Sequence, residues 1–181
     1  GYRIAMKLCL GTAQFGMRYG IANHTGQIDV TEAGRILERA LAAGVTMLDT
    51  AVMYGESETT LGQAGADRFA VVTKLPELPP HVGNITEWMK EHTNRSLRRL
   101  GVPSLYGLLL HRPMELLGPR GNEIAAGLMA LKATGLTSKT GVSVYNPNEL
   151  DQLSRFSFDI VQAPMSVFDR RLETTGWLQQ L

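Results

Sequence analysis

Three short apolar runs end on residues that can carry or move charge. Thr46-Met47-Leu48 leads into Asp49, Phe69 to Thr73 into Lys74, and Leu105 to Leu110 into His111. Tyr54 follows Asp49 in a glycine-containing stretch. A carboxylate, an ammonium, a phenol and an imidazole brought together can supply a proton to a reacting oxygen and stabilise the charge on it. Taken singly, each has an ordinary reading: a turn-capping aspartate, a solvated lysine at a strand end, a satisfied turn histidine, a packed tyrosine. Their joint occurrence at equivalent ends of successive runs favours shared chemistry. In a parallel βα barrel those ends converge on the face that carries the active site.

The elements that must position these residues read as alternating strands and helices. Strands are expected at Lys7–Thr12, Thr46–Thr50, Phe69–Lys74, Leu105–His111, Lys139–Val144 and Asp159–Gln162. Near-continuous apolar runs such as Leu108-Leu109-Leu110 suit strands buried on both faces of a parallel sheet. Asp29 with Glu32, Asn84 with Glu87, and Asn146 with Glu149 each pair a capping residue with an acid three positions on, which marks a helix start. The first of these helices carries Ile36, Leu37, Ala40 and Leu41 and stops at Gly44. The second carries Ile85, Trp88, Met89, His92, Leu97 and Leu100 and stops at Gly101. The third has Pro147 at its first position. Such alternation predicts βα units and a parallel sheet. Phe15 to Gln27 shows no clear period and is long for a loop, which suits a functional segment. With Val52 and Met53 it is expected to shape a pocket mouth.

Several blocks, in order along the chain, resemble the aldo-keto reductases. They are Leu10-Gly11-Thr12, Leu48-Asp49-Thr50-Ala51 with Tyr54-Gly55-Glu56-Ser57-Glu58, Val72-Thr73-Lys74, Leu110-His111-Arg112-Pro113 and Gly141-Val142-Ser143. The resemblance implies a (β/α)8 TIM barrel and reduction of an aldehyde or ketone by hydride from NADPH, with NADH as the alternative cofactor. It places the catalytic positions on Asp49, Tyr54, Lys74 and His111, the four residues found from the strand ends. Cofactor contacts fall on Gly11, Thr12, Asp49, Ser143 and Gln162. The family often has asparagine after that serine, and Val144 stands there instead. Hydride transfer to a carbonyl carbon builds negative charge on its oxygen, which needs a proton donor. A free tyrosine holds its proton with a pKa near 10. A neighbouring ammonium lowers that value. Tyr54 is therefore expected to be the general acid, Lys74 its activator, Asp49 the partner of Lys74, and His111 the residue that orients the carbonyl. Two alternatives stand beside this reading. One is a cofactor-binding regulatory module on the same barrel, as in voltage-gated potassium channel β subunits; the other is a chain made inert by missing strands.

Composition is compatible with this. The 181 residues carry a formal net charge of +1, with 44% hydrophobic and 19% charged residues. That balance gives no electrostatic reason to expect nucleic acid or an anionic membrane as partner. There is no membrane-length apolar run, no Gly-x-Gly-x-x-Gly fingerprint after a strand, and no metal-ligand spacing. A single cysteine, Cys9, suits a reducing cytoplasm. One domain over residues 1–181 is expected. Strand starts recur about every 28 residues, so eight units need more than this length, in line with the ~250 residues of the barrel. About six of the eight units are therefore expected, followed by an amphipathic helix at Leu172 to Leu181. In the family, the remaining two supply an aromatic that stacks on the nicotinamide and the basic residues for the adenosine 2′-phosphate. The chain is expected to be a truncated or proteolysed form, or one whose gap a second copy covers, since two exposed strand edges would invite self-association.

Overall fold

The computed structural model describes residues 9–12 and 28–163. Within them strand and helix alternate: β1 Leu10–Gly11, α1 Val30–Ala42, β2 Met47–Asp49, α2 Ser57–Ala64, β3 Ala70–Leu75, α3 Ile85–Leu100, β4 Leu105–Leu110, α4 Gly121–Ala133, β5 Thr137–Ser143, α5 Pro147–Gln152 and β6 Ile160–Gln162. Short 3-10 turns at Ala66–Arg68 and Pro113–Leu117 complete the connections. The strands form one six-stranded sheet in sequence order, every pair parallel. The expected start of the first strand at Lys7, the loop Phe15 to Gln27 and the helix Leu172 to Leu181 lie outside the described residues.

The capping residues start their helices as their spacing predicts. Asp29 accepts a hydrogen bond from the Glu32 amide at 2.8 Å, Asn84 from the Glu87 amide at 3.1 Å, and Asn146 from the Glu149 amide at 3.2 Å. The Glu149 carboxylate returns to the Asn146 amide, closing a reciprocal box. Gly44 and Gly101 follow α1 and α3 with φ of 79° and 66°, a conformation that favours glycine. β5 begins at Thr137, two residues earlier than expected.

Two helices lack the N-terminal signals, although Gly65 and Gly135 follow them with positive φ. α2 has no side-chain cap, and its buried positions include the polar Ser57, Glu58 and Thr60. α4 is apolar around much of its circumference and also lacks a side-chain cap. A search for polar caps and one apolar stripe passes over both.

Strand register sorts the side chains onto two faces, because paired residues of parallel strands point the same way and alternate along each strand. Leu48 pairs with Val71, and Thr73 with Leu108. Leu48, Val71, Leu75, Leu108, Leu110 and Val142 join Leu37, Leu61, Met89, Leu100 and Ile124 in the core between sheet and helices. The opposite face runs through Gly11, Asp49 and Val72, then Lys74, Leu109 and Gly141, then Ile160, with Ser143 beside Gln162. A side chain at Gly107 would meet the Ile160 δ-methyl at 2.8 Å, so this inner face is filled across strands. Gly11, Asp49, Lys74, Ser143 and Gln162 thus share the face turned away from the helices, while Thr12, one residue after Gly11, meets Ser57 of α2 on the other.

Candidate active site

Lys74 lies near the end of β3, only 2% exposed. A buried ammonium is costly unless it is paired and fully hydrogen-bonded. Its Nζ donates to Asp49 Oδ1 at 2.6 Å and to the Thr50 carbonyl at 2.9 Å. Asp49 ends β2 on the same face, one strand away. The pair is therefore fixed by adjacent strands, with no long side-chain excursion.

Tyr54 comes from the turn between β2 and α2, held by its amide to the Ala51 carbonyl at 3.1 Å. The following Gly55 has φ of 58°, which lets the chain reverse into α2. The Tyr54 ring lies under the ammonium, 5.1 Å from Lys74 Nζ to the ring centroid, and meets His111 edge-on at 6.0 Å. His111 follows β4, and its amide continues the ladder to the Leu75 carbonyl at 3.2 Å. Asp49, Tyr54, Lys74 and His111 are thus brought together at the carboxyl ends of β2, β3 and β4.

The electrostatics differ from expectation at Tyr54. Its pKa is pushed up to about 12, first by burial, then by the Asp49 carboxylate and the neighbouring Tyr145. Lys74 was expected to lower it. Its charge is matched by Asp49, and its hydrogen bonds go to Asp49 and Thr50, leaving little net pull on the phenol. Burial, with Lys74 and Arg112 adding to it, holds His111 below its ordinary value, which favours neutral imidazole at neutral pH.

Ser143 and Gln162 are register partners at the ends of β5 and β6, and the Val144 amide donates to the Gln162 carbonyl at 2.8 Å. Gly11 is exposed beside Asp49 at the end of β1. Thr12 is fully buried, and its hydroxyl donates to the Asp49 carbonyl at 2.7 Å. Two buried polar atoms on this face lack a partner among the described residues: Gln162 Oε1 and His111 Nδ1. An orphaned amide oxygen beside Ser143 fits a primary carboxamide such as that of nicotinamide, which would donate N–H to it. Val144 is fully buried and offers no side-chain amide. Among the described residues no group of three His, Cys, Asp or Glu could hold a metal ion, and no helix is long and apolar enough to cross a membrane.

The family model for the aldo/keto reductases matches residues 7–180. The chain belongs to the aldo-keto reductase family. It is 35% identical over 146 residues to an uncharacterised oxidoreductase of Mycobacterium tuberculosis, covering 77% of this chain and 42% of that protein. An aldo-keto reductase of Bacillus halodurans in its holo form matches with a TM-score of 0.72 at 25% identity, covering 96% of this chain and 58% of that one. Another from Klebsiella pneumoniae, solved with NADPH, matches with a TM-score of 0.60 at 28% identity, covering 82% and 49%. The chain spans about half the length of the curated relatives it matches and its six strands are an arc of the aldo-keto reductase (β/α)8 barrel.

Three contributors to this site escaped the sequence reading. Thr50 and Ser57, inside the family motif, join Thr12 in a buried hydrogen-bond cluster behind Asp49. Tyr145, 59% exposed after β5, lies close enough to influence Tyr54. The spacing of Thr50 and Ser57 about Tyr54 was the available signal.

Proposed function

We propose that this aldo-keto reductase chain belongs to a cytoplasmic NADPH-dependent reductase that converts an aldehyde or ketone to the alcohol. The observation that carries the reading is the buried Lys74–Asp49 pair at 2.6 Å with the Tyr54 phenol against it and His111 alongside. When bound, NADPH supplies the hydride to the carbonyl carbon. Gln162 Oε1 and Ser143 would hold its carboxamide, and Gly11, without a side chain, leaves the end of β1 open. His111, as neutral imidazole, orients the carbonyl oxygen by hydrogen bonding. Tyr54 gives its phenolic proton to that oxygen as negative charge develops there. A phenol with a pKa near 12 still protonates an alkoxide, the stronger base, so its donor role survives the upward shift. Asp49 fixes Lys74 in place, and the Lys74 ammonium lies against the ring that carries the remaining phenolate charge. The single cysteine, Cys9, supports the reducing compartment.

The test is NADPH consumption by the protein with a panel of aldehydes and ketones. Turnover that Tyr54→Phe lowers by at least about 100-fold supports the assignment, since a positioned proton donor contributes 10²–10⁴-fold. Turnover that survives the substitution rejects Tyr54 as the acid.

A further inference from the structure

Behind the Lys74–Asp49 pair lies a second polar layer that meets the pair through the Thr50 carbonyl and the Thr12 hydroxyl. It consists of Thr12, Thr50 and Ser57, all fully buried. Ser57 opens α2, and its Oγ lies 3.0 Å from the Thr12 carbonyl, 2.9 Å from Thr50 Oγ1 and 3.2 Å from Thr12 Oγ1.

Proton bookkeeping orders these contacts. A carbonyl only accepts, so the single Ser57 hydroxyl proton goes to the Thr12 carbonyl. The Thr12 hydroxyl proton is committed to the Asp49 carbonyl at 2.7 Å. The Thr50 hydroxyl must therefore donate to Ser57. The Thr12 amide adds a second bond to the Asp49 carbonyl at 3.0 Å, and the Thr50 amide donates to the Val72 carbonyl at 2.9 Å. Thr50 then presents its own carbonyl to Lys74 Nζ at 2.9 Å. One hydroxyl on α2 thus ties Thr12, after β1, to Thr50, after β2; Thr50 receives one of the lysine's hydrogen bonds, and Asp49, bonded by Thr12, receives the other.

We propose that Ser57 is a positioning residue for carbonyl reduction, acting through Thr50 and Thr12 to hold Asp49 and the Thr50 carbonyl in register with Lys74. The inference rests on the reductase reading above. Removing the hydroxyl leaves the buried Thr50 O–H and Thr12 carbonyl without a partner among the described residues. The 49–50 segment then relaxes, and the ammonium over Tyr54 moves with it. Small misplacements of this kind, away from the reacting atoms, lower rates by up to about 100-fold.

The experiment is a double-mutant cycle on the protein with NADPH and an aldehyde, using Ser57→Ala and the isosteric Thr50→Val. Each is expected to lower kcat roughly tenfold while KM for both substrates stays within about twofold. The double variant should fall no further than the worse single one, because the two share one hydrogen bond. Parental kcat with a lowered melting midpoint would mean a purely structural role and overturn the proposal. Additive losses, or losses confined to KM, would overturn it too. Tyr54 titration, read as the ultraviolet difference between each protein and its Tyr54→Phe form, reports on the pair without turnover. It is expected to move by about half a unit or more in Ser57→Ala, and an unmoved titration counts against the proposal. Parental turnover in Tyr54→Phe alone would instead reject the reductase reading.

Discussion

A lysine ammonium removed from water needs a counter-charge, and Asp49 at 2.6 Å supplies it. The consequence falls on Tyr54, whose phenol feels Asp49 and its own burial and is pushed up to about 12. An acid so poised stays protonated across neutral pH. The turnover rate is therefore expected to stay level from about pH 7 to about pH 10, with no alkaline fall from Tyr54, as a pH profile of kcat would show. Asp49→Asn removes one of the groups that raise the phenol, so Tyr54 should titrate below its parental value in a difference spectrum. The two half-buried histidines act in the opposite sense. Burial lowers the pKa of both His92 and His111 in the folded chain. The unfolded chain then binds more protons just below the free value of about 6.5, so stability is full above it and is lost as pH falls through the folded values. The melting midpoint should drop on acidification below about pH 6.5, and the His92→Gln/His111→Gln double variant should flatten that dependence.

The strands and the capped helices were legible because each rests on local chemistry: a capping side chain, an acid three residues on, a glycine where φ turns positive. α2 was not, because the partners of its buried polar face are distant in sequence. Glu58, 1% exposed, accepts from Thr73 Oγ1 at 2.9 Å and from Arg99 Nη1 at 2.7 Å, joining α2 to β3 and α3. Gly62 lies so close to α3 that a Cβ would fall 2.0 Å from the Arg99 carbonyl oxygen. That contact is backbone and cannot rotate away, so Gly62→Ala should destabilise by about 3 kcal/mol, the upper end for overpacking. Asn84→Ala, which removes only the cap of α3, should lose about 1 kcal/mol. Denaturant midpoints of the two variants check the order.

Across the whole molecule, the parallel order and the shared face of Asp49, Lys74 and Ser143 follow from period-2 alternation in strands whose register the sheet now gives. The four residues proposed for catalysis were legible from strand ends and from the family motif. The direction of the Tyr54 shift was not, because it depends on how Lys74 divides its charge between two neighbours. The Ser57 cluster was not either, since its bonds join residues up to 45 positions apart. Ligand binding should register on the fold as a whole: NADPH at about 100 times its Kd is expected to stabilise the protein by about 2.7 kcal/mol, visible as a raised melting midpoint. The most direct test of the central claim compares NADPH consumption by the parent and by Tyr54→Phe, with an aldehyde present and NADPH binding confirmed by that midpoint. The account predicts turnover in the parent and a loss of at least about 100-fold in the variant, with binding retained. Equal turnover in the two proteins would contradict it.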